Sequence, residues 1–454
     1  MTQPLRPQQA RTIADVFDKL RRGFRAPLIV APTGMGKTRL AAELLRRTQD
    51  KGNVGIFVCG RIELINQTVE SLNTNGVQRV AVFRADDERW DPSAKVIVAT
   101  PQTMTRRQSF PPARVLVLDE ARHYAPNGSD WNAVGKAYPN AIRIGLDATP
   151  QRADGAPMGD LFDCIVVGAS YSELLGAGLL AHCEVISAPK RLASSLAQAP
   201  ADAYLEHGRG MAGIVFASTV AESAACASTL LASGVRAAHI DGTSLDRQEV
   251  IERFKQGGVD VLCSCALLLE GFDAPRAKLA VVARCCSHAA SWIQICGRVL
   301  RPYQGQSALI LDLTGAVWDH GWPTEDRTYS LTGDPIRRSD ESEVTVWQCK
   351  ACFYCMSACP ASRCCPLCSS VLPEPESLRI ARLKLERQRE EEHRARHVAQ
   401  DADHMARRPD SPAHWLVSAM LDGRGMYKRR YKEHFGCWPT SAVLIAAKQL
   451  KEST

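Results

Sequence analysis

Short apolar runs recur along the first third of the chain: Leu28-Ile-Val30, Val54-Gly-Ile-Phe-Val58, Val96-Ile-Val98, Val115-Leu-Val-Leu118 and Ile142-Arg-Ile144, with helical stretches between them. They lack the sustained polar alternation of a half-exposed strand, so both faces must be covered. Helices between consecutive strands are what a parallel sheet requires. The rhythm restarts at Gly213-Ile-Val-Phe216 and continues through Val259-Asp-Val-Leu262, Leu279-Ala-Val-Val282 and Ala308-Leu-Ile-Leu311. The expected fold class is therefore α/β, with two parallel-sheet domains joined near residues 185 to 210, where Ala, Ser and Pro accumulate.

A chain of 454 residues has ample material for two such domains and smaller pieces. No apolar run approaches the roughly 20 residues that span a bilayer, and Met1-Thr-Gln-Pro-Leu-Arg-Pro7 has no apolar core of a secretory signal, so a cytoplasmic, membrane-free protein is expected. The net charge of +7 is compatible with a polyanionic partner without requiring one. Ten of the 17 cysteines are scattered, as in Val261-Leu-Cys-Ser-Cys265, which suits reduced buried thiols. The other seven crowd between Cys349 and Cys368.

Ala31-Pro-Thr-Gly-Met-Gly-Lys-Thr38 follows the first expected strand and opens an expected helix. In that setting backbone amides wrap phosphate oxygens at a helix N-terminus. Thr33, Gly34, Gly36, Lys37 and Thr38 are thus candidate nucleotide-binding residues, Lys37 for the β- and γ-phosphates and Thr38 for Mg²⁺. A glycine-rich turn with a chance Gly-Lys-Thr is the competing reading. Val115-Leu-Val-Leu-Asp-Glu120 then places two carboxylates at a strand end, Asp119 to bind the metal through water and Glu120 to position and deprotonate the attacking water. Alone, such a pair also serves as a helix cap. With the phosphate loop upstream it points to ATP hydrolysis.

Further blocks follow in order: Leu5-Arg-Pro-Gln-Gln9, Arg61-Ile-Glu-Leu-Ile-Asn-Gln67, Ala99-Thr-Pro-Gln-Thr103, Gly145-Leu-Asp-Ala-Thr-Pro150, Glu270-Gly-Phe-Asp273 and Gln294-Ile-Cys-Gly-Arg-Val-Leu-Arg301. Through them the chain resembles superfamily 2 helicases of the DEAD/DEAH-box type. From Gly271 to Leu311-Asp-Leu-Thr-Gly315, with paired cysteines beyond, it is similar to RadD-like DNA repair helicases and phage or prophage helicases. The resemblance covers about the first 315 residues and implies tandem RecA-like (P-loop NTPase) domains. It further implies Gln9 at the adenine, Arg61, Thr100, Gln102 and Thr103 on the nucleic-acid strand, and Gly271 and Asp273 in the nucleotide site. Gln294 would sense the γ-phosphate or attacking water, and Arg298 and Arg301 would be arginine fingers, a task suited to a permanently charged, forked guanidinium.

Three positions depart from the family pattern. Arg122, followed by His123, replaces the usual histidine after Asp-Glu-Ala; Asp147 stands where Thr or Ser is usual, which puts coupling of hydrolysis to unwinding in question; Gln8 replaces an aromatic residue.

Trp347-Gln-Cys-Lys-Ala-Cys352 and Cys365-Pro-Leu-Cys368 are Cys-x-x-Cys pairs separated by 12 residues, a spacing that closes a four-thiolate Zn²⁺ site. Cys349, Cys352, Cys365 and Cys368 are the chosen ligands. Cys355, Cys359 and Cys364 leave other registers open, and an iron–sulfur cluster is the alternative occupant. Beyond lies a mixed-sign stretch, Leu378 to Arg408, expected as a solvated helix or linker. Tyr427-Lys-Arg-Arg-Tyr-Lys-Glu-His-Phe435 then interleaves cations and aromatics, reading either as a nucleic-acid contact or, with Tyr427, Tyr431 and Phe435 on one helical face, as the core of a small cap.

The expected organisation is a RecA-like ATP-binding domain over 1–188, a RecA-like helicase C-terminal domain over 189–335, a zinc-ribbon-like module over 345–372, and a charged helical linker and cap over 373–454. The expected activity is ATP-dependent translocation or unwinding, with DNA favoured over RNA as the track. The alternatives are an RNA-directed ATPase and a nucleic-acid-binding scaffold using the zinc module. Expected cofactors are ATP, Mg²⁺ and Zn²⁺; expected partners are nucleic acid and a repair or replication protein, for a monomeric motor.

Overall fold

The computed structural model describes residues 4–60, 63–84, 87–107, 110–124, 130–152, 154–190, 192, 195–265, 267–269, 274–339, 346–372, 376–407, 410–422 and 426–452. Two compact units divide the chain between residues 372 and 373.

The first unit contains both expected parallel sheets. Its first sheet consists of β1 (Pro27–Val30), β2 (Gly55–Val58), β3 (Val80–Phe83), β4 (Val96–Ala99), β5 (Val115–Asp119), β6 (Ile142–Asp147) and β7 (Cys164–Val167). Their order is β3-β4-β2-β5-β6-β1-β7, and every pairing is parallel. Helices α1 (Pro7–Arg21), α2 (Lys37–Asp50), α3 (Glu63–Thr74), α4 (Pro101–Arg106) and α5 (Asp130–Ala137) alternate with these strands. β1, β2 and β4 are buried at every position, which is why their sequences run apolar without alternation. The edge strands β3 and β7 were not among the expected runs.

After α6 (Tyr171–Gly176) comes a second sheet of β8 (Cys183–Ser187), β9 (Gly213–Ala217), β10 (Ala237–His239), β11 (Val261–Ser264), β12 (Leu279–Ala283) and β13 (Ala308–Asp312). Helices α7 (Pro200–Ala203), α8 (Val220–Ala232), α9 (Arg247–Gln256), α10 (Ala289–Gly297) and α11 (Ala316–His320) accompany it. The sheet begins with β8, ahead of the division expected at residue 188, because β8 pairs in parallel with β13. After the small hairpin of β14 (Arg327–Thr328) and β15 (Arg337–Arg338), the cysteine-rich segment supplies β16 (Trp347–Gln348) and β17 (Tyr354–Met356). β17 adds antiparallel to β8, with Tyr354 opposite Ile186 and Cys355 opposite Val185. That segment is therefore an extension of the second sheet, whose order is β10-β11-β9-β12-β13-β8-β17-β16.

The second unit is helical: α12 (Glu376–Ala406), α13 (Pro412–Leu421), α14 (Tyr427–Phe435) and α15 (Ser441–Glu452). Ala402, Leu416, Val417, Tyr431, Val443 and Ala446 belong to its core. Most described side chains of α12 are exposed, as its mixed charges demand. Among the described residues no helix is long and apolar enough to cross a membrane.

Gly145 shows how tightly the first sheet is covered. A Cβ there would lie 2.6 Å from the Phe162 ring and 2.7 Å from Leu28. Gly145→Val should cost about 1–3 kcal/mol through overpacking, read as a lowered urea midpoint at unchanged m-value; an unaltered midpoint would contradict the packing described.

Candidate nucleotide site and cysteine cluster

Ligand sites of open parallel sheets lie at the carboxyl ends of the strands. In the first sheet the neighbours β5, β6 and β1 deliver, side by side, the Asp119-Glu120 pair, Asp147 and the glycine loop. Gly34 and Gly36 hold φ of 87° and 83°, the left-handed region that a side chain disfavours, and this turns the loop into α2 at Lys37. With glycine at the N-cap, the first amides of α2 have no side-chain cap and are suited to an anion. The loop is braced from α1. The Gln9 amide donates to the Met35 carbonyl at 2.9 Å and accepts from the Arg6 amide at 3.0 Å, and the Arg6 guanidinium donates to the Gly34 carbonyl at 3.0 Å.

The resulting cleft of about 840 Å³ is lined by Gln9, Thr33, Gly34, Gly36, Lys37, Thr38, Asp119 and Glu120 from the first sheet's domain. Gln294, Arg298 and Arg301 line it from the second. α10 comes so near the loop that a Cβ on Gly297 would lie 2.6 Å from the Thr33 hydroxyl oxygen. Lys278, which sequence reasoning overlooked, is buried and donates to the backbone carbonyls of Val299 and Arg301, holding the segment that carries both arginines.

Glu120 takes a left-handed φ of 49° at the end of β5, strain of the kind that collects at functional sites. Its carboxylate receives Lys37 Nζ at 2.8 Å and Arg122 Nη1 at 2.5 Å. Burial alone would raise its pKa, but Lys37, Arg122 and Arg298 outweigh burial and hold it well below the usual carboxylate range. Asp119, 4.0 Å from Lys37, is pushed up to about 6 by burial, against the pull of Lys37 and with the neighbouring Glu120 charge adding to it. Lys37 rises because Glu120, Asp119 and Asp147 overcome its own desolvation.

Two departures from the family pattern meet in one ion pair. Arg122 Nη1 lies 2.7 Å from Asp147 Oδ1, with their side chains 8% and 0% exposed. Asp147 also accepts from the backbone amides of Arg122 and Thr149, each at 2.9 Å. Gln294 reaches this network from the second domain: its amide oxygen, turned toward Arg122, accepts from the guanidinium at 3.0 Å and from the Thr149 hydroxyl at 2.7 Å. Gln294 thus lines the cleft and at the same time touches residues just beyond the ends of β5 and β6. An arginine and an aspartate, each replacing an uncharged or titratable residue usual at its position in the family pattern, were the available signal.

Thr100 is buried and caps α4, accepting from the Thr103 amide at 3.3 Å, so its hydroxyl serves the helix rather than a surface. Gln102 and Thr103 are half-buried. Arg61, Gly271 and Asp273 lie outside the described residues.

In the cysteine-rich segment the sulfurs of Cys349, Cys352, Cys365 and Cys368 all lie within 4.8 Å of one another. Cys349 and Cys368 are 3.5 Å apart, Cys352 and Cys365 3.6 Å. A tetrahedron of thiolates about 2.3 Å from zinc has edges of about 3.8 Å, so this donor set fits the ion. Cys355 is directed away, its sulfur near the Gln348 amide, which also donates to the Ser187 carbonyl at 2.8 Å.

Fold and cleft together define a tandem RecA-like ATPase. Residues 2–152 match the family described as type III restriction enzyme, res subunit, and residues 197–303 match the helicase conserved C-terminal domain. The chain belongs to the superfamily 2 helicases, enzymes that hydrolyse ATP.

Among its relatives is a 51.5 kDa protein of a Lactococcus phage, 25% identical over 78% of this chain and 80% of its own length. IRC3 of Saccharomyces cerevisiae, named for ATP-dependent helicase activity, is 24% identical over 69% of this chain and 52% of its own length. Rad25 of Halobacterium salinarum, named for DNA 3'-5' helicase activity, is 27% identical over 74% and 59%. The fold is similar to the type ISP restriction-modification enzyme LlaBIII bound to DNA (TM-score 0.52, 15% identity), covering 69% of this chain and 28% of that one. It is likewise similar to a fragment of an HsdR subunit of a type I restriction enzyme from Vibrio vulnificus (TM-score 0.55, 19% identity), covering 72% and 66%. The chain thus spans only part of most of these proteins.

Removing either member of the Arg122–Asp147 pair strands a buried charge. Arg122→Ala or Asp147→Ala should each lower stability by about 3–5 kcal/mol, while the double change Arg122→His with Asp147→Thr should cost less than the sum of its single changes. Strict additivity in chemical denaturation would refute the coupling.

Proposed function

We propose that this chain is a DNA-directed motor that couples Mg-ATP hydrolysis in the cleft between its two parallel-sheet domains to translocation along, or unwinding of, its track. The observation that carries the reading is the meeting in one cleft of Lys37, Asp119 and Glu120 from one domain with Gln294, Arg298 and Arg301 from the other. Lys37, now held by Glu120, would turn to the β- and γ-phosphates, freeing one carboxylate oxygen of Glu120 to orient and accept a proton from the attacking water. Arg298 and Arg301 would stabilise the charge spreading over the transferring group. Thr38 and Asp119 offer the oxygen donors that a hard cation prefers, and Mg²⁺ held there would neutralise phosphate charge. Because half of the site belongs to each domain, nucleotide turnover changes how firmly the domains hold together, and a strand bound across both is moved.

DNA is favoured as the track by two relatives: Rad25 is named for DNA helicase activity, and LlaBIII is described bound to DNA. The four-thiolate cluster is read as a structural Zn²⁺ site, soft ligands in tetrahedral array being the chemistry of that ion. Its attachment through β17 to β8 makes it part of the motor's second domain.

ATP hydrolysis should be stimulated by DNA, measured beside RNA and polymer-free controls, with Lys37→Ala and Arg298→Ala each lowering kcat by roughly 10²–10³-fold. Stimulation by RNA alone would transfer the motor to an RNA track; no hydrolysis with any polymer would leave the scaffold reading.

The purified chain should hold one zinc ion, lost in the Cys349→Ser and Cys352→Ser double variant together with a fall in melting temperature, since metal binding contributes to folding. A visible chromophore with iron in place of zinc would assign the site to an iron–sulfur cluster.

A further inference from the structure

The second unit is electrically lopsided. Of its Lys and Arg residues, five fall between 424 and 438 against a single Glu, while the rest of 373–454 carries eleven residues of each sign. α14 sorts these side chains by face. Tyr431 is buried, its ring 5.9 Å from that of Trp415. Lys428 and Lys432, four residues apart, share an outer flank and are exposed, whereas the Phe435 ring packs 4.5 Å from that of Tyr431 and 5.4 Å from that of Trp415. Beyond α14, Gly436 takes a φ of 73°. The chain then turns so that the Lys432 ammonium lies 4.8 Å from the Trp438 ring centroid.

This flank does not serve the core of the unit. Trp438 is 56% exposed and lies outside the buried cluster around Leu416, Tyr431 and Ala446. Arg429 is paired with Glu433 at 3.3 Å and Arg430 with Asp422 at 3.1 Å, whereas no carboxylate pairs with Lys428 or Lys432 among the described residues. Two lysines without a carboxylate partner among the described residues, about 6 Å apart along the helix axis, therefore stand beside a half-exposed indole, with the Lys432 ammonium over its ring. The chemistry that satisfies all three is a polyanion that also carries flat apolar faces, because phosphates take the cations and a base stacks on the aromatic ring.

We propose that this face of α14 is a nucleic-acid contact separate from the motor cleft, taking a single strand with its phosphates on Lys428 and Lys432 and a base against Trp438. The proposal rests on the motor reading only for the kind of polymer. It answers the choice left by the sequence of this segment: Tyr431 is core, while the neighbouring cations and Trp438 are a surface with its own ligand.

The test uses the full chain and a fluorescein-labelled 30-nucleotide oligo(dT), with binding followed by anisotropy across a salt series. Lys428→Gln with Lys432→Gln should reduce the log–log salt slope by about 1.4, two phosphate contacts at roughly 0.7 each on a single strand. Trp438→Ala should weaken binding by at least about fivefold at constant slope. Circular dichroism should be unchanged, since all three side chains are exposed. Wild-type affinity and slope in both variants would overturn the proposal and favour an acidic protein segment as the occupant. Oligo(dT)-stimulated ATP hydrolysis by the wild-type chain, measured in parallel, separates the two readings. A chain that hydrolyses no ATP but loses binding in the variants retains this contact without the motor, and a stimulated chain whose variants bind normally retains the motor without this contact.

Discussion

The pairing of Arg122 with Asp147 is the constraint around which the catalytic end of the first domain is organised. A carboxylate buried at the end of a central strand is tolerated only when its charge and lone pairs are met. Asp147 is met by the Arg122 guanidinium, by the Arg122 amide and by the Thr149 amide. The same guanidinium holds Glu120 and contacts Gln294 of the other domain. One cation therefore ties the ends of β5 and β6 together and links them to α10. Taken singly, Arg122 after the Asp-Glu pair and Asp147 at the end of β6 each depart from the family pattern; as a pair their charges compensate each other.

The second sheet shows a comparable economy. β8 lies between β13 and β17, so the cysteine-rich segment is joined to the motor by backbone hydrogen bonds rather than tethered to it. The Gln348 amide reinforces the join at the Ser187 carbonyl. Without β17, β8 would be an edge strand with unpaired backbone groups, a surface that proteins ordinarily cover or charge. A metal held by the four thiols would stabilise the strip of chain that covers this edge, and so would bear on the motor's integrity as well as on any surface the segment presents.

Much of the site was readable in one dimension because its parts are local. A strand, a glycine turn and a lysine-headed helix are contiguous, and so are Asp119 with Glu120 and Gln294 with Arg298 and Arg301. The four thiols were chosen on spacing, and the structure brings their sulfurs together. The burial and capping role of Thr100 were not legible, because a threonine opening a helix looks the same whether it faces a ligand or caps its own backbone. Lys278 was invisible for a related reason: its partners are carbonyls more than twenty residues away, and carbonyls leave no mark in a sequence.

The sequence by itself determined the α/β class, the division into two sheets and the glycine loop between β1 and α2, because hydrophobic period and short-range loop chemistry are properties of neighbouring residues. Only the tertiary structure decided that Arg122 and Asp147 are partners, that β8 belongs to the second sheet, and that the cysteine segment extends that sheet. Those are matters of strand order and register. Pairing energy between distant segments depends on which surfaces meet after folding, and a linear pattern does not encode that meeting residue by residue.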